Sequence, residues 1–316
     1  MKTSKVSIVV TTRNEAKNIE NCLRSICEQT YPEIELIVVD NNSEDSTKEL
    51  SRKFTNLVFN HGPERSAQRN FGLLEVAKGE YGMYIDADMI LTPNLVELCV
   101  ESMHGSKNAG LYIREIVLGK SIFAKVRRFE RQFYDGTVID AARFFRLSAF
   151  SATQGFDESI FSSGSGEDWD LDKRIKSFGE IGFPKSDSEK FDVTPPWLLL
   201  FAKTNGVNLL NNYHGILHNE SEIQLRQYLL KKRYYAKGFN GYIQKWGNKD
   251  HDIKKQFGFA YRFILVFLED RKWRIFLSHP GYAVATLSLK MLVGVSTLSL
   301  LRSKFTLRDH KTFEIE

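Results

Sequence analysis

The chain has 316 residues, of which 42% are hydrophobic and 26% are charged, and this composition excludes a protein that is disordered throughout. Its length allows one large domain or two. The three cysteines, Cys22, Cys27 and Cys99, have no metal-ligand spacing, and their odd number leaves no complete disulfide pairing. This usage predicts a reduced, cytosolic-facing compartment.

The charge of the chain changes sign along its length. Residues 1–221 carry 26 Lys and Arg against 31 Asp and Glu, whereas residues 222–316 carry 18 against 8. An acidic body followed by a basic tail predicts an anionic partner for the tail, which could be nucleic acid, anionic lipid or a polyanionic substrate. We therefore divide the chain into a body, residues 1–221, and a tail, residues 222–316.

Strand and helix patterns alternate in the first part of the body. Continuous apolar runs predict buried strands, and apolar residues at helical spacing predict helices between them. Strands are predicted at Val6–Val10, Ile34–Val39, Asn56–Asn60 and in the run before Asp86, and helices at Ala16–Gln29, Ser46–Phe54 and Arg65–Ala77. This alternation predicts an α/β fold with a doubly wound, mostly parallel sheet and helices on both faces.

The middle of the body is less regular. A strand is predicted at Gly110–Val117 and an amphipathic helix at Phe123–Tyr134. Acidic residues suit the first turn of a helix, which predicts that a helix begins at Glu167, directly after the loop Ser162–Gly166. We expect that loop to close over bound ligands. Lys185–Pro196 is predicted to be a surface loop.

The stretch Tyr81–Leu91 contains two carboxylates one residue apart, Asp86 and Asp88, at the end of a predicted strand. In open α/β sheets, ligands bind outside the carboxyl ends of the strands. Carboxylate oxygens are ligands for Mg²⁺ and Mn²⁺, which stay partly hydrated or bound to substrate phosphates. The pair therefore predicts a divalent cation held against a nucleotide diphosphate. Two further polar clusters, Thr11–Glu15 and Asp40–Ser43, are expected in the same crevice.

Taken together, these segments resemble the family 2 glycosyltransferases of the GT-A fold. The matching segments are VSIVVTTRNE, IELIVVDNNSEDST, ERSAQRNFGLLEVAKGEY, YIDAD and SGEDWDLDKR. They follow one another in the order of the family and cover about residues 5–180. The resemblance implies a GT-A catalytic domain over residues 1–221 and a nucleoside-diphosphate sugar as the donor.

The resemblance also assigns roles to individual residues. The donor nucleotide is expected to contact Thr12, Asn14, Glu15, Asp40, Arg65, Arg69 and Asn70, with Asp86 near the sugar and ribose. Turn chemistry alone is an alternative explanation for Asp40. Asp86 and Asp88 match the metal motif of the family and would hold Mn²⁺ or Mg²⁺. His218 is a candidate further ligand, with His214 as the competing histidine.

Inversion at the anomeric carbon requires a base that accepts the proton of the acceptor hydroxyl. Glu167 and Asp168 match the Glu-Asp pair of the family, so Asp168 is predicted to be this base and Glu167 to orient the acceptor or the loop. Acidic residues at a helix start are also ordinary helix caps, which is the alternative reading of the pair.

The tail is predicted to be helical and to associate with a membrane. Ile223–Lys237 has the pattern of a basic amphipathic helix, and Phe257–Leu268 and Tyr282–Leu301 are apolar. The last segment is long enough to span a bilayer but contains Lys290, which favours helices lying at the membrane surface over a single spanning segment. Two soluble core helices remain an alternative. Apolar segments between the charges argue against nucleic acid.

Three consecutive cations in the tail, Lys231, Lys232 and Arg233, could reach the diphosphate of the donor or of a lipid-linked acceptor. Contact with anionic lipid or plain solvation are the alternatives. The tail lacks the Gln-x-x-Arg-Trp motif of processive family members, which argues against processive polymer synthesis.

These observations predict a metal-dependent, inverting glycosyltransferase at the cytoplasmic face of a membrane, peripheral or monotopic, with a lipid-linked or saccharide acceptor. A nucleotidyltransferase that makes sugar nucleotides is an alternative, although the first loop, TTRNEAKN, lacks the expected glycines. An aspartyl-nucleophile phosphatase would carry its Asp-x-Asp after the first strand rather than late in the domain. A non-catalytic nucleotide-sugar-binding module would leave Glu167 and Asp168 without a task.

Overall fold

The computed structural model describes residues 3–159, 166–185, 194–210, 213–236 and 238–309, with side chains as far as residue 297. The proposed closure of the loop Ser162–Gly166 falls on residues of which all but Gly166 lie outside this range. Most of the predicted surface loop Lys185–Pro196 also lies outside the described residues.

The strands form two sheets that share the centre of the body. The larger sheet has seven strands in the order β3-β2-β1-β4-β8-β6-β9, and β8 runs against the other six. The smaller sheet has the order β5-β10-β7, in which β5 is antiparallel to β10 and β7 is parallel to it. The strands are β1 (Val6–Thr12), β2 (Ile34–Asp40), β3 (Val58–Asn60), β4 (Tyr81–Asp86), β5 (Met89–Leu91), β6 (Asn108–Tyr112), β7 (Glu115–Leu118), β8 (Ala142–Arg146), β9 (Glu180–Gly182) and β10 (Ile216–Asn219).

Helices connect and cover these strands. In the body they are α1 (Ile19–Cys27), α2 (Thr47–Ser51), α3 (Arg65–Asn70), α4 (Leu95–Met103), α5 (Ile122–Arg131), α6 (Leu147–Ala152), α7 (Glu167–Ile175) and α8 (Pro196–Thr204). In the tail they are α9 (Leu225–Ala236), α10 (Phe239–Trp246), α11 (His251–Phe257), α12 (Phe259–Phe263), α13 (Trp273–Ser278) and α14 (Pro280–Asp309). A π-helical turn, Phe71–Val76, continues α3, and two 3₁₀ turns, Leu265–Phe267 and Glu269–Arg271, precede α13.

The core lies on both faces of the larger sheet, as the unbroken apolar strands predict. All of β1 is buried, and its side chains alternate between the two faces. Ile8 and Val10 pack in one apolar cluster with α1 and α4, whereas Val9 packs in another with Leu73 and Phe145. The prediction of a doubly wound, mostly parallel α/β sheet is therefore confirmed.

Several predicted elements are divided in the structure. The single strand predicted at Gly110–Val117 is two strands, β6 and β7, which belong to different sheets. Periodicity could not separate them, because both are apolar and two residues connect them. The helix predicted at Arg65–Ala77 changes to π-helical geometry at Phe71. The prediction of a helix beginning at Glu167 is confirmed.

The tail packs against the body through α5. Phe129 and Phe133 of the body share an apolar cluster with Phe267 of the tail, and Val126 shares another with Tyr228. The division of the chain at residue 221 stays a prediction, because these clusters are continuous across it.

Lys290 explains why α14 carries a charge in an apolar segment. Its ammonium donates hydrogen bonds to the Tyr134 hydroxyl at 2.8 Å and to the Arg262 carbonyl at 2.9 Å, and lies 3.7 Å from the Glu130 carboxylate. The side chain is thus directed into the protein. Within the described part of the chain, no helix combines the length and the hydropathy needed to cross a membrane.

Candidate active site

Asp86 and Asp88 lie where the two sheets meet. Asp86 ends β4, and β5 of the smaller sheet begins three residues later at Met89, so the chain passes from one sheet to the other through this pair. Thr11 of β1 is in register with Asp86, and its hydroxyl donates to Asp86 Oδ1 at 3.2 Å. The carboxyl ends of the central strands therefore hold the pair at the sheet edge, as the sequence predicts.

A single buried guanidinium joins this pair to the start of α7. Arg69 donates from Nη2 to Asp86 Oδ1 and from Nη1 to Asp168 Oδ1, both at 3.1 Å. Its side chain is only 2% exposed and stacks 4.2 Å from the centre of the Tyr84 ring. Arg69 thus lies beneath the site, which differs from the predicted contact with base, ribose or diphosphate. Two carboxylates already occupy its terminal nitrogens.

Asp168 is held through one oxygen and open at the other. Oδ1 accepts hydrogen bonds from Arg69 and from the Tyr84 hydroxyl, the latter at 2.9 Å. The side chain is 30% exposed, and Oδ2 has no hydrogen-bond partner among the described residues. An oriented carboxylate with one free oxygen can accept a proton from a bound hydroxyl.

The charges around Asp86 keep it ionised. Burial alone would raise the pKa of this carboxyl, but the positive charges of Arg69, Arg143 and Arg65 outweigh burial and hold the pKa well below its usual range. Asp86 is therefore ionised at neutral pH.

Glu167 is placed differently from its neighbour. Its side chain is 1% exposed, and Oε1 accepts two hydrogen bonds from Arg65, at 2.7 and 3.1 Å. Burial and the nearby charge of Asp168 raise the pKa of Glu167. Arg65 in turn stacks 5.1 Å from the Tyr235 ring of α9. Glu167 therefore anchors Arg65 rather than meeting an acceptor directly, because it has almost no exposed surface.

Asp88, in the turn directly before β5, lies beside His218 of the neighbouring strand β10. His218 Nε2 is 3.3 Å from Asp88 Oδ2, and its Nδ1 is 3.7 Å from the Glu115 carboxylate. Burial would lower the pKa of His218, but the charge of Asp88, the hydrogen bond to Asp88 and the nearby Glu115 carboxylate raise it. Asp88 Oδ1 is buried without a hydrogen-bond partner among the described residues, so it is available to a cation.

The predicted three-residue metal set is not assembled. Among the described residues, no three His, Cys, Asp or Glu side chains are grouped so that they could hold an ion by themselves. Asp86 Oδ1 in addition accepts hydrogen bonds from Arg69 and Thr11. Any ion at this site would have to complete its coordination with ligand oxygens. The competing histidine, His214, hydrogen-bonds Asn94 through Nδ1 at 2.7 Å.

The first polar loop lies beside the aspartate pair. Thr12 has a buried hydroxyl with no hydrogen-bond partner among the described residues. Asn14, at a left-handed φ of 54°, accepts a hydrogen bond from the Glu44 amide. This bond connects the loop after β1 to the loop after β2. Burial and the charges of Asp88 and Asp86 raise the pKa of Glu15, although Asn18 hydrogen-bonds to it. Glu15 therefore lies within electrostatic reach of Asp86 and Asp88, whereas the contact of Thr12 with a ligand stays a prediction.

Asp40 and Asn70 have structural partners. Asp40 is fully buried, and both of its oxygens accept hydrogen bonds from Ser43, one from the amide and one from the hydroxyl. Asn70 is fixed by the Phe156 backbone, which it meets through both its amide nitrogen and its oxygen. The predicted contacts of these two side chains with the nucleotide stay predictions, and turn chemistry accounts for Asp40 as observed.

Comparison with protein families identifies part of the body. Residues 7–151 match the family model described as glycosyl transferase family 2, and they include Thr12, Asp40, Arg69, Asp86 and Asp88. Residues 7–151 form a family 2 glycosyltransferase domain. Asp168 and His218 lie beyond the matched range, so their place beside the carboxylates of the family 2 domain comes from the structure.

Two curated relatives match shorter stretches. Glycosyltransferase AglE from Haloferax volcanii is 34% identical over 110 residues, which are 32% of this chain and 36% of AglE. The Escherichia coli protein UDP-Glc:alpha-D-GlcNAc-diphosphoundecaprenol beta-1,3-glucosyltransferase WfgD is 29% identical over 125 residues, which are 38% of this chain and 49% of WfgD. The chain thus matches between about a third and a half of the length of these relatives.

A solved structure establishes the fold over nearly the whole chain. The mannosyltransferase PcManGT from Pyrobaculum calidifontis, in complex with GDP-Man and Mn²⁺, covers 94% of this chain and 88% of its own, with a TM-score of 0.56 and 16% identity. The GT-A fold predicted for the family 2 domain is therefore confirmed.

Three site residues of this chain were not found from the sequence. Tyr84 could have been found from the sequence, because it precedes Asp86 by two residues on one strand and so faces the same side of the sheet. Glu115 and Arg143, which pair at 2.9 Å, could not have been found in this way, because they approach Asp86 and Asp88 from β7 and β8. Only the pairing of distant strands brings them there.

Helix α9 presents its cations on two faces. Lys231 lies over the Tyr235 ring at 5.9 Å, and Lys232 lies over the Tyr228 ring at 5.2 Å. Desolvation would lower the pKa of Lys231, yet Tyr235 and the charge of Asp88 raise it, so Lys231 is within electrostatic reach of the family 2 aspartates. Lys232 faces α5 instead. The contact of Arg233 with a ligand stays a prediction.

Proposed function

We propose that this chain is a metal-dependent, inverting glycosyltransferase that moves a sugar from a nucleoside-diphosphate sugar to a hydroxyl or phosphate acceptor. The observation that carries the proposal is the Asp86–Arg69–Asp168 bridge, with both distances at 3.1 Å. It joins the donor-side carboxylate and the acceptor-side carboxylate in one site. A sugar-nucleotide nucleotidyltransferase or a binding module would have no need of this connection.

The chemistry follows from the positions of the two carboxylates. Asp168 Oδ2 accepts the proton of the acceptor hydroxyl while the acceptor oxygen bonds to the anomeric carbon from the side opposite the diphosphate. The bond from that carbon to the diphosphate oxygen breaks, and the electron pair leaves with the nucleoside diphosphate. Configuration at the anomeric carbon is therefore inverted. Arg69 and Tyr84 keep Oδ1 occupied, so that Oδ2 is the oxygen presented to the acceptor.

Asp88, Asp86 and His218 are the residues proposed to hold Mn²⁺ or Mg²⁺. The orphaned Asp88 Oδ1 and the carboxylate–imidazole donor set fit a divalent cation that is completed by substrate phosphates. Glu115 beside His218 Nδ1 fits the usual support of a metal-bound histidine. When bound, the cation supplies Lewis-acid stabilisation of the leaving diphosphate. Lys231 is proposed to add positive charge on the same side.

A thermal-shift comparison of UDP and GDP, each with and without Mn²⁺, tests the donor assignment. A nucleotide that binds the folded state alone raises the midpoint of unfolding, and the shift grows with its concentration relative to the dissociation constant. We expect one of the two nucleotides to give a shift that requires Mn²⁺. In Asp88→Asn, which keeps the size of the side chain, this shift should disappear, while Asp157→Asn serves as the control. A shift that is the same with and without Mn²⁺ in the original protein would contradict the metal assignment.

The acceptor is proposed to be lipid-linked or a saccharide, with the enzyme bound peripherally at the cytoplasmic face of a membrane. WfgD, whose name specifies a diphosphoundecaprenol acceptor, is a relative that supports this choice. The tail also exposes many apolar side chains, among them Leu277, which is 66% exposed, and Val284, which is 65% exposed. Exposed apolar helix surface flanked by Lys and Arg is typical of interfacial association.

Vesicle co-sedimentation tests this localisation. We expect the protein to sediment with vesicles that contain anionic lipid, and the double variant Leu277→Glu/Val284→Glu to remain in the supernatant because each change places a charge on the apolar surface. Phe178→Glu, at a residue of the body that is 52% exposed, is the matched control and should sediment normally. Point variants are preferred to truncation, since removal of α14 would uncover Phe129 and Val126. Equal sedimentation of all three proteins would show that the apolar surface of the tail does not bind the membrane.

A further inference from the structure

A second group of charges lies behind α9, on the face away from Asp86 and Asp88. We call it the α5 charge cluster and define it as Arg127, Glu130, Glu220, Arg262, Lys232 and Lys290. Arg127 pairs with Glu130 at 2.6 Å and with Glu220 at 3.4 Å, and Lys290 lies 3.7 Å from Glu130. The two carboxylates of the cluster are thus shared by Arg127 and Lys290.

Two cations of the cluster are left without a carboxylate. No acidic side chain of the described residues lies within ion-pair distance of Lys232 or Arg262, and each lies over an aromatic ring instead, Tyr228 at 5.2 Å and Tyr134 at 5.7 Å. Arg262 Nη1 is buried and has no hydrogen-bond partner among those residues. A buried guanidinium N–H without an acceptor is costly, so an acceptor oxygen from a bound ligand would stabilise it.

The balance of charge shows which ligand would fit. When all four cations are protonated they face two carboxylates, so the cluster then has two positive charges in excess. Burial and repulsion from Arg127 lower the pKa of Lys232 to about 7, and burial lowers that of Lys290 to about 8. Burial, which disfavours the charged form of a lysine, is the first cause of both shifts. Lys232 and Arg262 are each partly exposed, so a small anion can approach them from solvent.

We propose that Lys232 and Arg262 bind a phosphate group of a ligand at the α5 charge cluster, separately from the diphosphate at Asp86 and Asp88. A phosphate carries close to the two missing charges and offers acceptor oxygens to an Arg fork and a Lys ammonium. The site deepens the proposed function, because the phosphate would belong to an acceptor that bears a phosphate or diphosphate. Only this source of the phosphate rests on the proposed function. Lys231 and Lys232, adjacent in sequence, thereby serve different anions.

An apolar surface adjoins the site and suits a lipid-borne phosphate. Phe259 and Phe263 stack at 4.4 Å on α12, the helix that carries Arg262, and Phe259 is 66% exposed. A hydrocarbon chain attached to the phosphate could lie against these rings. A free phosphate ester would use the same cations without this contact.

Binding of inorganic phosphate to the full chain, measured by calorimetry and thermal shift, tests the site. We expect Lys232→Met and Arg262→Met each to weaken phosphate binding by roughly tenfold to a hundredfold, because each removes a charge-assisted contact. Arg226→Met, at an exposed position of α9, is the control and should bind like the original protein. Phosphate binding that is absent from the original protein, or undiminished in both variants, would overturn the site.

Two further measurements separate the explanations. Retained binding of nucleoside diphosphate in Lys232→Met and Arg262→Met shows that the variants are folded. If one variant unfolds, phosphate binding by the other variant tests the site. If the original protein binds phosphate but no nucleoside diphosphate, the proposed function fails while the phosphate site stands. Vesicles of phosphatidylcholine with phosphatidic acid that compete with phosphate identify a lipid source, and vesicles that do not compete identify a soluble one.

Discussion

Asp168→Asn is expected to reduce the rate of sugar transfer by roughly a hundredfold to ten thousandfold, the usual contribution of a positioned general base. The amide keeps the size of the side chain and can still accept hydrogen bonds from Arg69 and Tyr84 through its oxygen, so the local structure should persist. It cannot accept the proton of the acceptor hydroxyl. The measurement is the initial rate of transfer, with the affinity for nucleoside diphosphate determined in parallel.

The affinity for the donor distinguishes a role of Asp168 in proton transfer from a role in donor binding. The donor should bind the Asp168→Asn variant almost as tightly as the original protein, because the proposed role of Asp168 is on the acceptor side. Asp157→Asn, which alters an aspartate that pairs with Lys245 at 2.9 Å outside the site, is the control and should transfer normally. Equal loss of donor binding and of transfer in Asp168→Asn would instead place Asp168 in the donor site.

Arg69→Met should destabilise the protein as well as inactivate it. Removing one member of a buried ion pair commonly costs about 3–5 kcal/mol, since the remaining charge is left without its partner. Here two carboxylates, Asp86 and Asp168, lose the same guanidinium. The free energy of unfolding of Arg69→Met, measured with urea at neutral pH, should fall by an amount of this order. The free energy of unfolding of Arg69→Lys should lie between those of Arg69→Met and the original protein.

The dependence on pH identifies the cause. The pKa of Asp86 is depressed in the folded state, so its ionisation stabilises the fold above the unfolded value of about 3.9, and this stabilisation is lost as the pH falls towards the folded value. Without Arg69 the folded pKa rises, and less of this stabilisation exists. The difference in stability between Arg69→Met and the original protein should therefore be largest near neutrality and shrink below about pH 4. A difference that does not change with pH would indicate lost packing against Tyr84 instead.

The sequence was most informative where chemistry coincides with the ends of strands. Asp86, Asp88 and the loop around Thr12 could be brought together from the sequence because parallel strands present their carboxyl ends at one edge. The helix start at Glu167 was also predictable, from its acidic first turn. These features depend on local patterns and on one rule of sheet topology.

Other features depend on packing that no local pattern encodes. Arg69 was expected to meet the nucleotide, but the way α3 packs on the sheet buries its side chain beneath the aspartates. Glu115 reaches His218 only because β7 pairs with β10 across a second sheet. Lys290 looked like an interruption of an apolar helix, and its partners Glu130 and Tyr134 are far away in sequence. In each case a distant contact decided the role of the residue.

The Asp86–Arg69–Asp168 bridge limits how freely parts of this protein can be exchanged. A chimaera that takes its acceptor-binding segment from another enzyme would move α7 while leaving β4 and α3 in place. Unless the incoming segment offers a carboxylate at the same point, Arg69 would lose one of its two anchors and the donor side would be disturbed by an exchange made elsewhere. Attempts to alter acceptor choice should therefore transplant the three segments as one unit.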